Sequence, residues 1–133
     1  MAKKYFIKIF SFFIFPASVF FFSLFIDYAL GVYDVFPWVD IPMHFLGGVA
    51  VGYMFFLFIR LFREKGFIRI ENRILFIIVI VALVSLIAVL WEFYEFIMVS
   101  YFGFPWQEEI GNTMLDLFMG MCGGLSVGIF SKI

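Results

Sequence analysis

Residues 74–98 read ILFIIVIVALVSLIAVLWEFYEFIM, and no charged side chain interrupts the run before Glu92. A helix over this stretch is ~37 Å long at 1.5 Å per residue, enough to cross a ~30 Å hydrocarbon core. A soluble helix needs one wet face, and this one has none until its far end. The stretch therefore predicts a transmembrane helix, and it makes lipid the solvent in which the rest of the chain is read.

The remainder agrees. Of 133 residues, 65% are hydrophobic and 14% charged, against roughly half and a quarter in a soluble domain. The reading is an all-α integral membrane protein: a single membrane domain, residues 1–133, forming a bundle of four transmembrane helices over about 5–30, 43–62, 74–98 and 113–131. Pro16 is expected to kink the first span. The apolar run behind Lys3, Lys4 and Lys8 is longer than a signal-peptide core and lacks a small-residue cleavage site, so an uncleaved helix is expected. Residues 31–42 and 100–112 read as interfacial loops. Trp38, Trp91 and Trp106 fall in or beside them with Tyr28, Tyr33, Tyr94 and Tyr101, as in an aromatic belt. One cysteine, Cys122, excludes an internal disulfide.

Charge gives the bundle a direction. All nine Lys and Arg lie at one end: Lys3, Lys4 and Lys8 before the first span, Arg60 to Arg73 between the second and third, and Lys132 after the fourth. By the positive-inside rule that end, with both termini, faces the cytoplasm of an inner or plasma membrane. Of the ten acids only Glu64 and Glu71 share it. Asp27, Asp34, Asp40, Glu92, Glu95, Glu108, Glu109 and Asp116 fall at the other end.

Helix arithmetic puts these outer groups at one depth. Lys8 to Asp27 and Arg73 to Glu92 each span ~28 Å, and His44 to Arg60 and Asp116 to Lys132 each span ~24 Å. Asp40/His44 and Asn112/Asp116 are i,i+4 pairs and Glu92/Glu95 an i,i+3 pair, so each pair shares a helix face. Plain structural roles exist for most of them. Asp40 suits the N-cap of the second span with Pro42 in its first turn, Thr113-x-x-Asp116 matches a capping box, and His44 suits the headgroup region.

Glu92 and Glu95 fit less easily. They sit toward the C-terminal end of their span, where the helix dipole disfavours negative charge, among Trp91, Tyr94, Phe96, Ile97 and Met98. Either the helix emerges into water there, or the acids face a bundle interior and mark a site. With no Lys or Arg at that end, a cluster of Asp40, His44, Glu92, Glu95 and Asp116 is balanced by protons, by His44 or by a cation. Those five are the candidate metal ligands, and a divalent ion is the cofactor they suit. His44, Glu92, Glu95 and Asp116 are the candidate catalytic groups.

Small residues indicate how two spans meet. Gly47, Gly48 and Gly52 follow His44, and Gly120, Gly123, Gly124 and Gly128 follow Asp116. Such stripes let membrane helices approach closely. Packing of the second span on the fourth through Gly48, Gly52, Gly120, Gly124 and Gly128 would bring His44 to Asp116; pairing of two chains, or a groove for lipid, are the alternatives.

The motifs Asp40-x-x-x-His44-Phe-x-Gly-Gly, Trp91-Glu92-x-x-Glu95 and Asn112-Thr113-x-x-Asp116-Leu-x-x-Gly120 resemble the YjdF-type family of small bacterial inner-membrane proteins and, more loosely, VanZ-like proteins. The resemblance covers residues 38–124, with Asn112 where the YjdF-type pattern carries Asp. It implies shared architecture and a shared polar site. VanZ-like proteins are associated with glycopeptide-antibiotic resistance, and neither family brings a reaction with it.

Three functions remain open at this point. The first is an enzyme with an outward metal or acid/base site acting on a lipid or lipid-linked headgroup. The second is a small cation- or proton-coupled transporter, and the third a noncatalytic assembly subunit. Expected partners are membrane lipids, a lipid-linked substrate and a second copy of the chain. Nucleic acid is not among them, because the basic residues from Arg60 to Arg73 form a short topogenic loop.

Overall fold

The computed structural model describes residues 2–103 and 110–132, with side chains from Ile7 onward; Trp106, Glu108 and Glu109 lie outside the described residues, as do the side chains of Lys3 and Lys4. The helices are α1 (Ala2–Phe12), α2 (Ile14–Leu24), α3 (Val32–Val35), α4 (Asp40–Glu64), α5 (Arg73–Phe102) and α6 (Ile110–Phe130). A π-helical turn, Phe25–Ala29, extends α2, and a 3-10 turn, Pro37–Val39, leads into α4. Among the described residues there is no strand. Pro37–Glu64, Arg73–Phe102 and Ile110–Phe130 are long and apolar enough to cross a membrane, whereas Ile14–Ala29 is apolar but shorter.

Pro16 accounts for the division of α1 from α2. It has no N–H for the Phe12 carbonyl and its ring crowds that carbonyl. The helix breaks one residue on, where the Phe13 N–H turns back to Phe10 O at 3.1 Å, and it resumes as Ala17 donates to Phe13 O at 3.0 Å. At the start of α5 the Asn72 side chain accepts from the Leu75 N–H at 3.0 Å, an N-cap that satisfies one free donor. Its far end is closed by Gly103 at φ 72°, a left-handed position that favours glycine.

α4 is the hub. It packs most extensively on α6, and also on α2 and α5, while α5 packs on α6. The α4–α6 contact is backbone on backbone: a Cβ on Gly48 would fall inside the Gly120 carbonyl, and one on Gly123 inside that of Phe45. A Cβ on Gly52 would meet Gly124 Cα at 3.3 Å. The other faces of the α6 glycines seat α5, where added carbons on Gly124 and Gly128 would reach Val84 at 2.8 Å and Ile77 at 3.3 Å. Gly47, expected in the same stripe, faces open space instead.

The apolar interior lies toward the basic end. Ile59, Phe76, Ile80 and Val84 form one buried group and Phe12, Met54 and Leu61 another. Outside, Phe10, Ile78, Phe93 and Phe118 are each more than half exposed. A large apolar exterior around a small-residue interior is what helix packing in lipid produces.

Contacts also tie the basic groups to one end. Lys8 Nζ lies 3.6 Å from Glu64 Oε2 and Arg60 Nε 3.2 Å from Glu64 Oε1. The Arg73 guanidinium donates to the carbonyls of Ile129 and Ser131 and lies 5.6 Å from the Phe76 ring centroid. It thereby satisfies the last turn of α6, where carbonyls lack helical partners.

Candidate functional site

At the opposite end, α4 turns one face toward α6 and α5 together. Asp40 and His44 are one helical turn apart on it, and His44 Nε2 lies 3.5 Å from Asp40 Oδ1 and 4.0 Å from Asp116 Oδ1 across the α4–α6 contact. Asp116 is buried, its side chain 5% exposed. Asn112, one turn earlier on α6, donates from Nδ2 to Asp116 Oδ2 at 3.1 Å and so fixes the carboxylate's direction.

From α5 come Glu92 and Glu95. One ligand atom from each of His44, Glu92 and Glu95 lies within 4.8 Å of the others, and the same holds for Asp40, His44 and Asp116. His44 is thus the shared corner of two triads. Four carboxylates surround one imidazole, and the Lys and Arg side chains of known position sit at the far end of the bundle. Such a group needs protons or a cation to persist in a low-dielectric setting. A single ion bound tetrahedrally at ~2.1 Å would need its ligands ~3.4 Å apart, so atoms that lie within 4.8 Å of one another would have to draw together to hold it.

Two expectations are corrected by local structure. Asp40 is not an N-cap: Val39 holds that place, no side chain caps the helix, and Asp40 stands inside its first turn, which frees its carboxylate for His44. Thr113 and Asp116 do not form a capping box either, because α6 already begins at Ile110; the Asp116 partner is Asn112. As for the emergence of α5 into water at Glu92, the helix continues to Phe102 with Phe93, Phe96 and Ile97 still exposed apolar side chains.

A cavity of about 400 Å³ opens beside the cluster. Its outer part is lined by Asp27, Tyr33, Asp34, Asp40, His44 and Glu95, its inner part by Pro16, Val19, Phe20, Val51, Val84 and Ile87. Glu92 and Asp116 do not line it. Asp27, placed in the outer layer by helix arithmetic, is joined there by Tyr33 and Asp34, which spacing alone does not single out. The π-helical turn carries Asp27 to the cavity, a device common at functional sites, and Gly31 at φ 59° then reverses the chain into α3. The Tyr33 hydroxyl is paired with Ser23 Oγ at 2.7 Å, which pins α3 to α2. Burial pushes the Tyr33 phenol up to about 12, and the Asp40, Asp27 and Glu95 carboxylates add to the rise while the Ser23 bond opposes it. Trp91, expected in the aromatic belt, also lines the cavity, with Phe20 on its edge at 5.5 Å between ring centroids.

Compared with known proteins, residues 1–133 match a family model described as "Predicted membrane protein (DUF2238)". No curated protein matches the chain, and no solved structure does.

Proposed function

We propose, from the premise that this chain belongs to the DUF2238 family of predicted membrane proteins, that it is a small enzyme of the YjdF type with an outward-facing, metal-dependent acid/base site for lipid or lipid-linked headgroups. The observation that carries this reading is the opening of one cavity onto both Glu95 and His44 at its polar end and hydrocarbon-like walls at the other. A water-soluble substrate has no use for the second half.

The architecture in this reading is a four-span bundle. α1, α2 and the π-helical turn cross together as one broken helix, both termini lie in the cytoplasm, and the acidic end faces out. Glu92, Glu95 and His44 hold a divalent ion. Asp116, which lies against His44 Nε2 and does not line the cavity, orients the ring in the manner of carboxylate–histidine–metal sites. The ion, when bound, polarises a phosphate or carbonyl oxygen of the headgroup. With Glu92 and Glu95 engaged, Asp40 at the cavity wall is the side chain placed to take or return a proton.

Transport suits the fold less well. Beyond the cavity the bundle is filled by Ile59, Phe76 and Ile80, with no ionisable group on the described residues of that interior.

The test is metal content by mass spectrometry of detergent-purified protein, with turnover of labelled lipid extract measured on the same samples. Wild type is expected to retain a divalent ion and to lose turnover on chelation. Glu92→Gln and His44→Ala lose both. Wild-type protein that is metal-free after purification in metal-supplemented buffer, and turnover indifferent to chelator, would overturn the reading.

A further inference from the structure

The same cavity carries a statement about the substrate, and it rests on the reading of the acidic end as an outward site. Its lining runs from Pro16 to Asp27 on the first helix, from Asp40 to Val51 on α4 and from Val84 to Glu95 on α5. Each of these stretches rises ~16 Å along its helix, about half of a ~30 Å hydrocarbon core. A cavity that starts at the polar layer and stops at mid-bilayer has the height of one leaflet. A volume of about 400 Å³ lies at the low end of ligand pockets, ~300–1,000 Å³.

The cavity also has a side. α2 packs along α4 but not along α5; Phe20 reaches across the gap to Trp91. Between α2 and α5 there is this pair of rings rather than an extensive helix interface. At the polar end the wall offers carboxylates and one imidazole, with no Lys or Arg.

We propose that the gap between α2 and α5 is a lateral gate, and that the occupant is an amine-bearing glycerophospholipid of the outer leaflet, one chain in the cavity and its ammonium toward Asp27 and Asp34. Phe20 and Trp91 swing aside to admit it. A headgroup that brings its own positive charge complements this wall, and an anionic headgroup is disfavoured by it.

Gly47 supplies the test. It lines the cavity, and a Cβ there meets nothing within 4 Å, so a larger side chain fills the slot without pressing on α6. Protein in phosphatidylglycerol nanodiscs is irradiated with phosphatidylethanolamine carrying a diazirine in one chain, and labelled peptides are quantified. Wild type is expected to be labelled at Val19 and Ile87. Gly47→Phe lowers that labelling about tenfold, the change that ~1.4 kcal/mol of binding produces, and leaves labelling of the exposed Phe21 and Phe22 unchanged. Ile87→Trp, filling from α5 and read at Val19 alone, is the second occluding variant should Gly47→Phe fail to fold. The phosphatidylglycerol analogue is expected to label the cavity weakly.

Cavity labelling unchanged in the variants, or equal with phosphatidylglycerol, overturns the proposal. Metal content is read on the same samples: a retained ion with an unlabelled cavity rejects the gate alone, and a labelled cavity without the ion rejects the metal reading alone.

Discussion

Gly48 stands so close to Gly120 that α4 has no room for a methyl group there: a Cβ on Gly48 would overlap the Gly120 carbonyl, whereas one on Gly120 would make ordinary contact with Ala88 at 3.6 Å. Gly48→Ala must therefore force the two helices apart, and overpacking of this kind costs about 1–3 kcal/mol or more. Gly47→Ala, one residue away and facing open space, should cost nothing and gain up to ~1 kcal/mol in helix propensity. Thermal unfolding of both variants in the same detergent tests the contrast, and equal melting temperatures would contradict the packing described.

Asn112 is expected to act through Asp116. Removing its amide leaves the buried carboxylate without the 3.1 Å donor that aims it, and the loss of such an outer partner lowers metal affinity about 10–100-fold. Competition with a chromophoric chelator on Asn112→Ala reads this directly, and Asn112→Asp, whose ionised carboxylate cannot donate to Asp116, should not restore the affinity.

Arg73 fastens the start of α5 to the end of α6 through the Ile129 and Ser131 carbonyls. Arg73→Ala should lower stability by about 1–2 kcal/mol, as expected for charged hydrogen bonds at a helix C-terminus. Amide exchange should quicken in the last turn of α6 and stay unchanged around Asp116. Arg73→Lys, which cannot fork to two carbonyls, should recover only part of the loss.

Tyr33 should ionise late. Its phenol is pushed up from 10.0 to about 12, so the unfolded chain releases this proton first as pH rises. Stability is then full below pH 10 and falls between about 10 and 12. An ultraviolet difference titration of wild type against Tyr33→Phe isolates this group, and a transition near pH 10 would place the ring in water.

Much of this was legible beforehand because each signal was local. Hydropathy over residues 74–98 is a property of one helix, and α5 contains that stretch. The glycines after His44 and Asp116 form faces that can be drawn on isolated helices, and those faces meet with His44 4.0 Å from Asp116. What was misread depended on how segments join. Asp40 reads as a cap until the 3-10 turn Pro37–Val39 extends the helix past it. Asp27 reads as a residue at a span's end until a π-helical turn, which no composition announces, carries it to the cavity. Gly47 reads as a packing residue because it adjoins Gly48, and a rotation of one residue puts it on the other side.

The hub position of α4 has a consequence for how the protein is made. Its most extensive partner, α6, comes some fifty residues later in the chain, so when α4 enters the membrane the surface that will hold Asp116 is bare. His44 then waits through the synthesis of α5 before the second wall of its site exists. The triad of Asp40, His44 and Asp116 cannot form on a nascent chain still lacking α6, and a chain cut short before residue 110 would leave His44 and a naked glycine face open to lipid. The polar centre is thus assembled late, only once residues from both α4 and α6 have been delivered.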